Sequence, residues 1–552
     1  MKGAKAIDSL CAVFADQVAR RDQGVVVSEK VLAGVFAYLR RDIDPCYDIF
    51  VDLTAVDHLE GHRTGRFAVH YCLRSGATGQ FLRLEVICSG CSLPSAMGEW
   101  PVANWFEREV FDLMGIDFGG HIDLRRTLLP VDFVEHPLRK DYPLAGMGER
   151  CEPGTQNVPQ PSSLAPVSAE GEVVQIDLNP LYAGQGVRML LDLEGERVRK
   201  ATPDPGYVHA GLEKLGESLT YRQCTQLTGR LGEQLSFSGE MALALAVENL
   251  LQLQVPPRAR YLRVVWCELG RIMAHLAWLA EQARLAGSST AWHTALTERD
   301  KIRLMFEALG LGAEVGLICI GGTVLDLEAA FAASAVEFCT TVPNFIDDID
   351  RLFTGHPFWL RRVRGLGELG AEAAIGWGAS GPVLRAAGVA RDIRRDDPYS
   401  QYEDFDFSLA VGERGDVYDR CQVRLAEVAA SALIIEQALG GMPEGTHRVA
   451  DRELVGGTPT TPEGMIHHFS AWMDGHGLQP PPGDVYLSVE APGGELGVYL
   501  VSDGTDRPYR LRFRTPSFAH LQCYPHLVSG LDLDEAALVL GSLNIVATEV
   551  DR

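Results

Sequence analysis

Pro256–Gly287 reads PPRARYLRVVWCELGRIMAHLAWLAEQARLAG. Two prolines open the run and a glycine closes it, the punctuation expected of a helix. About 30 residues at 1.5 Å each make a rod of roughly 45 Å, long enough to cross a domain. Leu262, Val265, Trp266, Leu269, Ile272, Met273, Leu276 and Leu279 recur at helical spacing and form one apolar face. Arg260, Arg263, Glu268, Arg271 and His275 fall on the opposite side. Two readings of that stripe are open. It is a solvated face, or it is the positively charged wall that a buried anionic group, such as an iron–sulfur cluster, would need.

Around this helix the composition sets limits. The chain has 552 residues, too many for one ordinary core, so at least two domains are expected. Hydrophobic residues make up 46 %, as in a globular protein. Fifty basic residues against 74 acidic ones give a net charge of −24, a surface that repels nucleic acid. No apolar run reaches the ~18 residues that span a bilayer, and the start, MKGAKAIDSLCAVF, lacks a signal-peptide core. A cytoplasmic chain, free to dock on a membrane protein, is expected. The twelve cysteines are scattered as reduced thiols would be, and the one close pair, Cys88 and Cys91, has no second pair at ligand spacing.

The periodicities predict an α+β organisation. Residues 7–22 and 28–41 read as amphipathic helices, followed by short alternating strands between Tyr47 and Val86. A short helix in NWFEREVFDLM closes at Gly115, and the charged stretch after it reads as an interface network. Residues 147–172 are rich in Pro, Gly and Ser and read as a linker. Residues 1–146 then form a small α+β domain, and 173–552 a mainly helical domain with flanking strands. Within the latter, Gly195 and Glu196 mark a hairpin. Helices are expected over 236–253, 298–309, 325–352 and 414–439, with strands in DVYLSVEAPGGELGVYLVSD and YRLRFRTPSF.

A family resemblance rests on particular strings. NWFEREVFDLMGIDFGGHIDLRR followed by HPLRKDYPL resembles the C subunit of bacterial NADH-quinone oxidoreductase, respiratory complex I, with Ile122 where that family usually has proline. GYVHAGLEK, VPPRARYLRVVWCELGRIMAHL, LRAAGVARDIRRDDPYSQYEDFDF, GERGDVYDR, EAPGGELGVYLVSDG and RPYRLRFRTPSF resemble the D subunit. The chain therefore looks like the C and D subunits fused. The resemblance implies a large domain with the fold of the nickel–iron hydrogenase large subunit. The four cysteines that hold nickel and iron there have no counterpart in TGRLGEQLS or SLNIVATEVDR, so no metal site is expected. It also implies a peripheral-arm role on the cytoplasmic side of the inner membrane. The implied partners are the B subunit with its terminal iron–sulfur cluster, the membrane-arm H subunit and the I subunit.

By the same resemblance, ELxRxxxH, here Glu268, Leu269, Arg271 and His275, lies against that cluster. Arg263 shares its face, and Arg188 stands where the family has a further arginine. The quinone end departs from the pattern. Where the family has GPxHPxxHG this chain has DLNPLYAGQG, which places Gly184 at the quinone-binding histidine beside Tyr182 and Gln185. Glu233 replaces the partner tyrosine and Leu285 an expected aspartate. Quinone is the implied substrate of the complex, and this chain is expected to bind no cofactor and to have no activity alone. An assembly with another electron donor or acceptor, or a non-catalytic scaffold, remains an alternative.

Overall fold

In the first half, three β-rich segments are rich in Val, Ile, Phe and Tyr and pair as the alternation predicts. The computed structural model describes residues 4–21, 24–59, 65–147, 173–177, 187–232, 235–310, 316–450, 461–472 and 477–552. Its first sheet has five strands in the spatial order Val18–Arg21, Gly24–Val27, Phe81–Cys88, Phe67–Arg74, Ile49–Asp57. All neighbours are antiparallel except Gly24–Val27 against Phe81–Cys88. The helix Ala103–Met114 packs on this sheet and ends at Gly115, whose φ of 73° gives the left-handed turn that glycine takes without strain. The expected helix over 7–22 is shorter. It ends at Phe14, Ala15 turns the chain at φ 42°, and Val18–Arg21 becomes the edge strand. Cys88 and Cys91 lie at a strand end, and burial pushes the Cys88 thiol up to about 11.

The proposed linker, residues 147–172, lies outside the described residues apart from Met147. Arg188–Glu194 and Arg197–Asp204 form the expected hairpin, turning at Gly195 with φ 65°. The long helix runs Pro257–Leu285, with Pro257 in its first turn. Its two faces do not divide into core and solvent. Helices Ser289–Ala308 and Val417–Gly441 pack along it, and Leu533–Leu543 crosses it. Gly541 allows that last crossing, because a Cβ there would stand 2.7 Å from Leu285 Cδ1. The helix Ala329–Ile349 with its extension to Thr354 corrects the bilayer expectation: by length and composition it is apolar enough to cross a membrane. Phe331, Phe338, Val342, Phe345 and Ile349 form its buried face, against Val417–Gly441 and Ser289–Ala308 among others, while the opposite face is exposed.

Strands Gly483–Ala491, Gly494–Ser502 and Arg510–Arg514 form an antiparallel sheet near the end of the chain. Three helices follow it, Pro516–Val528, Leu533–Leu543 and Ala547–Val550, which the strand reading of the terminal part missed. Their signals were present: Pro516 at the first turn, and an Asp532 and Glu535 capping box.

The two halves share buried chemistry. Arg512 meets Asp52 at 3.0 Å, Glu109 at 2.5 and 2.8 Å, and Glu213 at 3.2 Å. Arg552 donates twice to Glu109 at 2.9 Å, and Arg510 meets Glu213 at 2.6 Å. Around these ions Phe518 packs against Trp105 and Phe106. Lys140 bonds Glu217 at 2.8 Å, so the charged stretch after Gly115 does serve an interface, one within the chain.

Candidate functional site

The polar stripe of the long helix is buried except at Arg260, which is half-buried. Arg263, Glu268, Arg271 and His275 are each at most 2 % exposed, so neither a solvated face nor an open cationic wall exists at these residues. The reason is a set of carboxylates from elsewhere in the chain. Arg263 forks onto Glu248 at 2.9 and 2.5 Å and donates to the Cys319 and Gly322 carbonyls. Glu268 accepts from Arg271 at 3.1 Å, Arg394 at 3.1 Å, Tyr402 at 2.6 Å and Ser431 at 2.6 Å. Burial alone would raise the Glu268 carboxyl, but Arg271 and Arg394 outweigh it and hold it below its ordinary value.

His275 Nε2 lies 2.9 Å from Glu427 Oε2. Burial pushes the imidazole down to about 4, with Glu427 pulling the other way, so it is neutral at pH 7. Glu427 also accepts from Arg385 at 3.0 and 2.7 Å. Arg271 passes one bond, 2.5 Å, to the Glu490 carbonyl, and its Nη1 has no partner among the described residues. Arg424 lies over the Trp278 ring at 4.6 Å and lines a narrow crevice with His275. Its Nε and Nη1 are buried and likewise without a hydrogen bond among the described residues.

The other candidates divide. Arg188 sits apart from this network, half-buried, with its Nη1 on the Tyr207 hydroxyl at 2.7 Å and Asp204 at 3.5 Å. Tyr182, Gly184, Gln185 and Glu233 lie outside the described residues. Leu285 is half-buried at the last turn of the long helix. One turn earlier is Gln282, a residue the sequence reading did not single out. It is fully buried, and both of its amide atoms lack a partner among the described residues. An unsatisfied buried amide of this kind marks a place for a water or a ligand group. The available signal was a polar residue on the apolar stretch LAWLAEQARLA. Among the described residues no three His, Cys, Asp or Glu side chains gather as metal ligands.

Residues 25–147 match the family model of the respiratory-chain NADH dehydrogenase 30 Kd subunit, and residues 286–552 that of the 49 Kd subunit. The chain is 34 % identical to the C/D subunit of NADH-quinone oxidoreductase from Nitrosospira multiformis, over 95 % of this chain and 90 % of that one. It belongs to the family of fused C/D subunits of NADH-quinone oxidoreductase. Methylococcus capsulatus has a C/D subunit 34 % identical over 95 % of this chain and 93 % of its own. The D subunit of Wolbachia pipientis from Culex pipiens is 41 % identical over 69 % of this chain and 99 % of its own. The 49 Kd model begins to match at residue 286, after the long helix.

Proposed function

We propose that this chain is a peripheral-arm subunit of a proton-translocating NADH-quinone oxidoreductase, set between the terminal iron–sulfur cluster of a B-type subunit and the quinone cavity. The end-to-end likeness to C/D subunits, with both halves in order, carries the reading. NADH oxidation and quinone reduction belong to the assembled complex, and this chain supplies shape and electrostatics. Its partners in this reading are the B, H and I subunits, on the cytoplasmic side of the inner membrane. The helical half takes the nickel–iron hydrogenase type of fold without that enzyme's metal.

The buried network supports a cluster-side role that acts at a distance. Its guanidiniums, Arg271, Arg385 and Arg394, are paired with carboxylates, so what the network offers a nearby cluster is the proton equilibrium of His275 in a low-dielectric interior rather than a net positive charge. His275 offsets the Glu427 charge by hydrogen bonding rather than by opening to a partner. An electron on a nearby cluster would raise the His275 pKa, so reduction and protonation are linked.

His275→Met is expected to lower the potential of the partner's terminal cluster and flatten its pH dependence. Glu427 loses a donor, and its charge is less well offset. A hydrogen bond to a charged group is worth about 1.5–3 kcal/mol, and tenfold in a one-electron centre is about 59 mV. The shift is therefore tens of millivolts up to about 100 mV. Redox titration of the cluster's paramagnetic signal at several pH values, in assembled wild-type and mutant complexes, measures it. An unchanged potential and slope would reduce His275 to a packed core histidine.

A second reading is an assembly of the same architecture with another donor or acceptor. The apolar Leu285, where the family pattern has an acid, favours it. Gln282, one helical turn away and unsatisfied, is the donor such an altered pocket could still use.

A further inference from the structure

Eight buried side chains form one connected network: His275, Glu427, Arg385, Glu490, Asp392, Arg394, Glu268 and Arg271. Each is at most 2 % exposed. With His275 neutral, three guanidiniums share four carboxylates, and Arg424, buried beside Glu427 with no ion pair among the described residues, is the fourth cation. A buried carboxylate with few donors is costly to keep ionised, and a proton on it removes that cost.

The bonding pattern says which carboxylate takes the proton. Glu268 holds two arginines and two hydroxyls. Asp392 has both oxygens on Arg394, at 3.0 and 2.7 Å, with Arg385 at 3.4 Å. Glu427 receives both Arg385 and His275. Glu490 has one guanidinium bond, from Arg385 Nη1 at 2.8 Å, and one N–H, from Ile393 at 3.1 Å. Its cross-strand neighbour is a further carboxylate, Glu495, in register on the hairpin. Directly opposed side chains of an antiparallel pair stand about 5 Å apart at Cβ, so like charges there repel. Glu490 and Glu495 both line a cavity between the two halves of the chain, with Arg391, Arg514, Ser380 and Phe50. Glu495 Oε1 is buried in it without a hydrogen bond among the described residues.

We propose that Glu490 carries a proton at neutral pH and forms, with Glu495 and this cavity, a buried proton-holding site between the two halves. The electrostatics agree. Burial raises the Glu490 carboxyl, and Arg385 does not offset this, while Asp392 raises it further. Burial would raise Glu495 too, but Arg391, Arg74 and Arg514 bring it below its ordinary value. Two carboxyls pushed apart in this way divide into an acid and a base. Of the other groups facing the strand, Tyr399 and Tyr402 are held neutral by burial, and Glu248 on the helix behind it is taken up by Arg263. Glu240 on that helix accepts the Ile318 N–H. The site needs no cluster and no partner subunit, so it stands or falls separately from the placement proposed above. In an enzyme whose product takes up protons with electrons, it is a proton source inside the chain.

The test uses the purified full-length chain. Infrared difference spectra between neutral and alkaline pH, in H2O and D2O, are compared for wild type and Glu490→Gln. The wild type should show an acid C=O stretch that the variant lacks. Glu107 and Glu549, which burial pushes up to about 7, contribute to both spectra and cancel. Identical acid bands in the two proteins would overturn the proposal. Thermal melting gives a second arm, because glutamine mimics the protonated acid but not the carboxylate. A carboxyl raised on folding contributes stability in full below its unfolded value, and loses it as pH rises through its folded value. Glu490→Gln should therefore melt within about 2 °C of wild type at pH 7 and gain on it as pH rises. Glu427→Gln, which removes an ionised carboxylate, should melt clearly lower. A Glu490→Gln chain that fails to fold, or melts lower than Glu427→Gln, would also overturn it.

Discussion

Arg512→Met is expected to destabilise the chain by about 3–5 kcal/mol, the usual cost of removing one partner from a buried ion pair. Arg512 is 2 % exposed and joins Asp52 and Glu109 of the first half to Glu213 of the second. With Arg510 and Arg552 it makes three cations against those three carboxylates. Without it, Glu109 keeps Arg552 and Glu213 keeps Arg510, but Asp52 loses its hydrogen-bonded cation and is left buried. Burial already raises the Asp52 carboxyl, so it takes up a proton in the mutant. The effect has a second readout. A chain carrying a specific protease site between residues 147 and 173, once cut, should still elute as one particle, because the interface is closed by ions and by Phe518 on Trp105 and Phe106. The cut Arg512→Met chain should separate into two. Separation of the cut wild type would show that the halves hold together only through the covalent link.

Glu268→Gln should cost a similar ~3–5 kcal/mol. Glu268 bridges Arg271 and Arg394. An amide keeps the shape but withdraws the charge, so two guanidiniums then face each other across a neutral group. Its NH2 replaces one oxygen, so either the Tyr402 or the Ser431 hydroxyl must turn from donor to acceptor, and the guanidinium donors on that side lose their acceptor. Chemical denaturation of the purified chain measures the loss. A mutant within about 1 kcal/mol of wild type would mean that the network is not ionised as described. Glu490→Gln provides the contrast: the same substitution in the same network should be severe at one carboxylate and mild at the other.

Much of the scaffold could be read from local pattern. The long helix, the helix closed by Gly115, the three alternating strands before residue 89 and the hairpin at Gly195 each carry their period and their stop signal within a few residues. The edge strand Val18–Arg21 could not, because its four residues extend an apparently helical run and its pairing with Gly24–Val27 is a tertiary choice. The site was legible as residues but not as an environment. Periodicity put Arg271 and His275 on one polar face. It could not say that Glu427, 152 positions away, and Glu490, 219 away from Arg271, fold over that face and bury it. ARDIRRDD and RLAEV hold Asp392, Arg394 and Glu427 of the network, and their mixture of charge with apolar neighbours was the available signal.

If this chain works as a complex I subunit, membranes without it cannot pass electrons from NADH to quinone through that complex. Membranes from cells lacking the chain are assayed for NADH-driven quinone reduction, beside membranes from cells given back the wild-type chain. The activity should be lost without the chain, be restored with it, and co-purify with the B-type subunit on a tagged chain. Quinone reduction from NADH that continues at the wild-type rate without the chain would contradict it.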